Sequence, residues 1–190
     1  LQHLDELDAR GLHYYFQYTL NDYEREGFEP NVPALEKRIE TFRRLSERIG
    51  SDRVVWRFDP IILSPGTGPR DILMRIWTVG KALRGLTKKL VVSFVDVGAY
   101  RKVQANLVRD TGLYTRETVL SAEPDEAQRR EICEGLAKIR ERWHSEGWDI
   151  EISSCAEEAD LAAWGITYNR CIDGELMERV FGEDKALVHF

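Results

Sequence analysis

The sequence predicts an α/β fold: repeated strand–helix units forming a partial TIM-type (β/α) barrel with parallel strands. Three observations predict it. Short aromatic or β-branched runs recur along the chain. Stretches with apolar residues three and four apart separate them. The alternation continues without a reversal of pattern, and parallel strands need such crossovers.

The four strand segments are His13 to Thr19, Arg53 to Phe58, Leu90 to Asp96 and Asp149 to Ser154. The first three suit a strand covered on both faces. The fourth alternates polar and apolar through Asp149-Ile150-Glu151-Ile152, which fits a half-exposed or edge position.

The helical segments follow in turn. Leu35, Ile39, Phe42, Leu45 and Ile49 share one helical face, with Pro33 near its start and Gly50 past its end. Ile72, Ile76, Val79 and Leu83 make a second stripe, closed by Gly85. Tyr100 to Val108 reads as a shorter helix. A longer one spans about Pro124 to Trp143, with Ile132, Leu136 and Ile139 on one face. Two more are expected near Glu157 to Trp164 and Gly174 to Phe181. Ser64 to Arg70, with two prolines and two glycines, is a loop inside the rhythm rather than a domain boundary. No repeat or low-complexity linker divides the 190 residues, so one domain is expected.

Composition narrows the function classes. A net charge of -6 argues against broad binding to nucleic-acid phosphates. Pairs such as Arg43-Arg44 and Lys88-Lys89 read as solvated surface. The longest apolar runs are too short for a membrane span, and the opening Leu1 to Glu6 is polar and acidic rather than a signal peptide. Three scattered cysteines suit a reducing compartment, so a cytoplasmic location is expected. The missing initiator Met and the ending at Val188-His189-Phe190 suggest a piece of a longer protein.

In such folds chemistry gathers where strands end. The exits supply Gln17, Tyr18, Thr19 and Asn21; then Arg57 and Asp59; then Ser93, Asp96 and Lys102; then Cys155 and Glu157. Arg57 is the sharpest of these, a guanidinium inside a buried strand. Either it clamps an anion or carboxylate of a ligand, or it forms a fixed ion pair with Asp59 or a neighbouring acid. Ser93 interrupts an apolar strand and suits a small core residue or a site. Asp96 could bind a metal, take a proton or cap the next helix. Cys155 and Cys171 are too far apart in sequence for a C-x-x-C metal site and suit small buried hydrophobes. Cys133 falls in a helix. The four histidines show no paired spacing, and no Walker or dinucleotide glycine motif occurs.

These exits carry a family resemblance. The chain resembles a bacterial domain-of-unknown-function family, number 1848. The residues that carry it are Leu4 to Asp8, Tyr14 to Thr19, Glu29 to Pro33, Val55 to Ile61, Ser93 to Asp96, Tyr100 to Val103, Ser154 to Glu158 and Cys171 to Glu175. Phe58 stands where Tyr is commoner, and Val97-Gly98-Ala99 precedes Tyr100. The resemblance implies half of a barrel with an additional N-terminal strand and a C-terminal cysteine cluster. That cluster is similar to the C-x-x-x-C-x-x-C set of radical S-adenosylmethionine enzymes, which holds a [4Fe–4S] centre. The cysteines of this chain lack that spacing. The cluster and S-adenosylmethionine are therefore expected in the complete protein, and neither is expected bound by this chain alone.

The reading that follows is the barrel core of a radical-SAM-like iron–sulfur enzyme of unknown substrate, a small molecule or another. Asp96, Glu157 and Lys102 are the expected catalytic groups. Gln17, Thr19, Arg57, Asp59, Ser93 and Cys155 would bind cofactor or substrate. Two alternatives stand beside it. One is a divalent-metal hydrolase or lyase with Asp59, Asp96 and Glu157 as oxygen ligands. The other is a non-catalytic binding or scaffold domain, whose strand-exit groups would pair among themselves.

Overall fold

The computed structural model describes residues 3–155 and 161–182. Five strands form one all-parallel sheet in the order β1-β2-β3-β4-β5: β1 Phe16–Thr19, β2 Val54–Ile61, β3 Lys89–Phe94, β4 Glu151–Ser154 and β5 Thr167–Tyr168. The helices are α1 Leu4–Ala9, α2 Leu35–Ile49, α3 Pro69–Leu83, α4 Arg101–Thr111, α5 Glu126–Ser145 and α6 Gly174–Phe181.

Side chains of a strand alternate between two faces, and here the faces differ in chemistry. Trp56 and Phe58 of β2, Leu90 and Val92 of β3 and Ile152 of β4 point into the main core. There they meet Phe42 and Leu45 of α2, Ile72, Ile76 and Val79 of α3, and Ile132 and Leu136 of α5. Each large side chain buried there contributes about 1.5–3 kcal/mol of hydrophobic stabilisation. The opposite face carries Gln17, Val55, Arg57, Asp59, Lys89, Val91, Ser93, Glu151 and Ser153. It is closed at the strand starts by α6. Leu176 joins Val55, Val91 and Cys155 in a small separate cluster, with Tyr15 and Val180 packed against it.

The expected strand–helix order is present, with helix α2 ending at Gly50 and α6 spanning Gly174 to Phe181. Several boundaries differ. β1 begins at Phe16, because the chain from His13 is held by side chains instead: Tyr14 bonds Asp8 at 2.8 Å and His13 stacks on Phe181. β2 runs on to Ile61 through a register shift, which accommodates Pro60 at the strand's irregular end. α1 and β5 were not expected. α1 is one and a half turns long with only Leu4 buried, and β5 is two exposed residues, so neither leaves a pattern to read. Of the helix expected near Glu157 to Trp164, residues 156–160 lie outside the described residues, and Ala162–Trp164 is a single 3₁₀ turn.

Helices α3 and α5 lie unusually close because each offers a glycine to the other. The Trp143 ring of α5 covers Gly80 of α3, and the Leu73 side chain of α3 covers Gly135 of α5. Trp143 also stacks on Trp77 with ring centroids 5.9 Å apart. A Cβ at Gly80 would overlap the Trp143 ring. Alanine ordinarily stabilises a helix interior over glycine by roughly 0.5–1 kcal/mol. Here overpacking reverses the sign, so Gly80→Ala should destabilise by about 1–3 kcal/mol. Urea unfolding checks this; a neutral or stabilising Gly80→Ala would mean that the contact is loose.

Candidate functional site

The site is built from the strand ends outward. Arg57 and Asp59 are two residues apart on β2 and therefore share the polar face. Their side chains are 19% and 22% exposed, so the pair is largely withdrawn from water. Arg57 Nε donates to Asp59 Oδ2 at 2.8 Å, and its Nη2 donates to the same carboxylate oxygen. Nη1 donates to Gln17 Oε1 at 2.6 Å, across the β1–β2 pairing. Nη2 also approaches Cys155 Sγ at 3.8 Å. Four of the five guanidinium N–H donors thus have an acceptor, and one on Nη1 is left for another group. Burial opposes the charge on Arg57, but the Asp59 carboxylate outweighs it and raises the pKa above the ordinary arginine value, aided by the nearby Cys155 and Cys171. The fixed ion pair with Asp59 that the sequence left open is present.

Asp59 is held from two further sides. Ser93 of β3 donates its hydroxyl to Asp59 Oδ1. The buried Asn21 brackets the backbone of Asp59, accepting from its N–H at 2.8 Å and donating to its carbonyl at 3.0 Å. Gln17 turns its amide N–H to the carbonyl of Cys171 at 2.8 Å, which ties the segment before α6 to β1. Cys155 is 6% exposed and accepts from Asn169 Nδ2 at 3.0 Å.

A second polar layer lies one step toward the strand starts. Lys89 Nζ sits 2.7 Å from Asp173 Oδ2 and 3.5 Å from Glu151 Oε1. Asp173 also caps α6, accepting from the Leu176 N–H at 2.9 Å. Glu151 Oε1 accepts from Ser153 Oγ at 2.8 Å and Thr167 Oγ1 at 2.7 Å. The layer links β3, β4, β5 and α6.

Of the expected site residues, the structure brings together Gln17, Arg57, Asp59, Ser93 and Cys155. Thr19 shares the face of Gln17 but is exposed at the strand end. Asp96 is exposed in the loop after β3, where its Oδ1 accepts from the Ala99 N–H at 2.9 Å; the N-cap of α4 is Tyr100. Lys102 is exposed in the first turn of α4. Glu157 lies outside the described residues. The sequence reading missed Lys89, Glu151, Ser153, Asn169 and Asp173. The first three were within reach: they sit two or four residues before Ser93 or Cys155, at the period of a strand face.

Glu151 gives the layer a pH signature. Burial pushes its pKa up, but the hydroxyls of Thr167 and Ser153 and the Lys89 ammonium together hold it below the ordinary glutamate value. A depressed folded pKa contributes stability that is present above the unfolded value and is lost as pH falls through the folded one. Glu151→Gln should therefore flatten the loss of stability on acidification below about pH 4.5, the ordinary glutamate value. Urea midpoints of both proteins from pH 6 to pH 3, all rough set points for a carboxylate titration, check it. Parallel curves would remove Glu151 from the acid response.

The three cysteines are free thiols, with Cys133 buried in α5, Cys155 in the polar-face cluster and Cys171 exposed. Among the described residues, no three His, Cys, Asp or Glu side chains gather to hold a metal ion. Nor is any described helix long and apolar enough to cross a membrane. No curated protein and no solved structure matches the chain. The model of one family, described as a domain of unknown function, DUF1848, matches residues 1–189. Its match over almost the whole length places the strand-end cluster within that family: the chain belongs to DUF1848.

Proposed function

We propose that this chain is the substrate-facing wall of a radical-SAM-like iron–sulfur enzyme, a partial (β/α) barrel that binds a small molecule at its strand ends. The single observation that carries the reading is the Arg57–Asp59–Ser93–Gln17 cluster at the C-terminal ends of adjacent parallel strands. That is where parallel α/β folds assemble their sites. The partial barrel is supported by strand order. Strands that follow chain order, with α2, α3 and α5 sharing one core, are what successive right-handed crossovers in one direction produce.

The described residues do not fit an iron–sulfur cluster, since Cys133, Cys155 and Cys171 occupy three separate environments. In this reading the cluster and S-adenosylmethionine belong to other parts of the complete protein. What this chain supplies is a rigid acceptor and donor array. Arg57 fixes the Asp59 carboxylate, and its remaining N–H is aimed at an anionic or carbonyl group of the substrate. Asp96, in the loop after β3, and Lys102, in the first turn of α4, follow Ser93 closely in sequence and are the candidates to act at the same strand end. The divalent-metal alternative loses support because Asp59 is engaged by Arg57 and Ser93.

A second reading is favoured by one observation: the strand-end groups satisfy one another, as expected of a non-catalytic binding or scaffold domain. The net charge of -6 supports a partner other than nucleic acid in either case, and free thiols suit the reducing cytoplasm.

Iron and acid-labile sulfide, measured on the complete protein purified without oxygen, separate the two. The enzyme reading expects about four of each per chain. Their absence would remove it and leave the scaffold. On this chain, Arg57→Met should keep the far-UV circular dichroism and a cooperative melt. Unfolding would show that the guanidinium serves the fold instead.

A further inference from the structure

α4 and the turn that follows it border an open cleft of about 420 Å³. Its volume falls in the range of small-ligand sites. Arg101, Arg109 and Arg116 line it, with Val108 and Val119 forming an apolar floor. Three arginines around one cleft stand out in a chain of net charge -6. They are not equivalent. Arg109 is paired with Asp110, its Nε and Nη2 each bonding that carboxylate at 2.6 Å, and Nη2 also bonds Asn106 at 3.0 Å. Arg101 and Arg116 are exposed and form no ion pair among the described residues.

The start of α4 is already served by two carboxylates, Glu123 accepting from the Gly98 N–H and Asp96 from the Ala99 N–H at 2.9 Å. Arg101 and Lys102 occupy the first turn of α4, where the macrodipole is positive and acids are favoured. No acidic residue stands in that turn, and no side chain caps it. Arg101 and Lys102 thus have no acidic partner within their own turn. Arg116 lines the same cleft.

We propose that this cleft binds a small phosphorylated molecule, a phosphomonoester whose dianion lies between Arg101 and Arg116 and whose organic part covers Val108 and Val119. Two guanidinium forks suit a phosphate's several oxygens better than a single carboxylate. The apolar floor selects a ligand with a body over inorganic phosphate alone. A volume of about 420 Å³ is that of a site for one small molecule.

Phenyl phosphate is a suitable probe, titrated into the ¹⁵N-labelled chain with inorganic phosphate and phenol alongside. Phenyl phosphate should shift the amides of 101–109 and 116–119 and bind more tightly than inorganic phosphate, while phenol alone leaves those amides in place. Arg101→Gln and Arg116→Gln should each weaken it about tenfold, the loss of one charge-assisted contact. Arg44→Gln, on the surface of α2, should leave it unchanged. Two results would overturn the proposal: no shift at α4 with phenyl phosphate, or equal weakening by Arg44→Gln, which would mean that the ligand answers only to overall charge.

Discussion

The Arg57–Asp59 pair is the constraint on which the polar face depends. A guanidinium in a central strand is costly to bury unless its charge and its donors are met. Meeting them recruits Gln17 from β1, Ser93 from β3 and Cys155 beyond β4. One charge therefore organises side chains from four successive strand ends. The same demand explains why Asn21 grips the backbone of Asp59: a carboxylate that must hold two partners cannot be left on a wandering strand end.

The two faces of the sheet divide the work of stability and recognition. The helix-covered face is packed with aromatic and branched side chains, and the α3–α5 approach locks it through reciprocal glycine contacts. The other face gives up most of that hydrophobic gain for two layers of polar groups. Helix α6 restores some of it through Leu176 and Val180, and its cap Asp173 doubles as the partner of Lys89. Helix α6 thus covers the strand starts, while the Arg57 cluster stands at the strand ends.

Much of this was legible in the residues. The helix stripes from Leu35 to Ile49 and from Ile72 to Leu83 match α2 and α3, because long amphipathic runs carry a strong period. The oddity of Arg57 within Val55-Trp56-Arg57-Phe58 pointed to a partner, and Asp59 at the next position on the same face is that partner. What stayed hidden came from long-range contacts. Nothing local in Gly174 to Phe181 says that α6 lies on the polar face, and nothing near Asn169 says that its amide reaches Cys155. Asp96 and Lys102 looked like neighbours of Ser93 because they follow it closely. Past Phe94 the chain still pairs with β2 through the Val95 N–H and the Ile61 carbonyl at 3.0 Å, and the Asp96 carboxylate accepts from the Ala99 N–H of its own loop.

Arg57 and Asp59 act as one unit that holds the strand-end cluster together. A double-mutant cycle in urea unfolding tests it most directly, with Arg57→Met, Asp59→Asn and the pair combined. Each single change should cost more than its share of the double, giving a coupling of about 1–3 kcal/mol. Costs that add to within about 0.5 kcal/mol would contradict the account. The two side chains would then be neighbours without being partners, and the cluster would need another organiser.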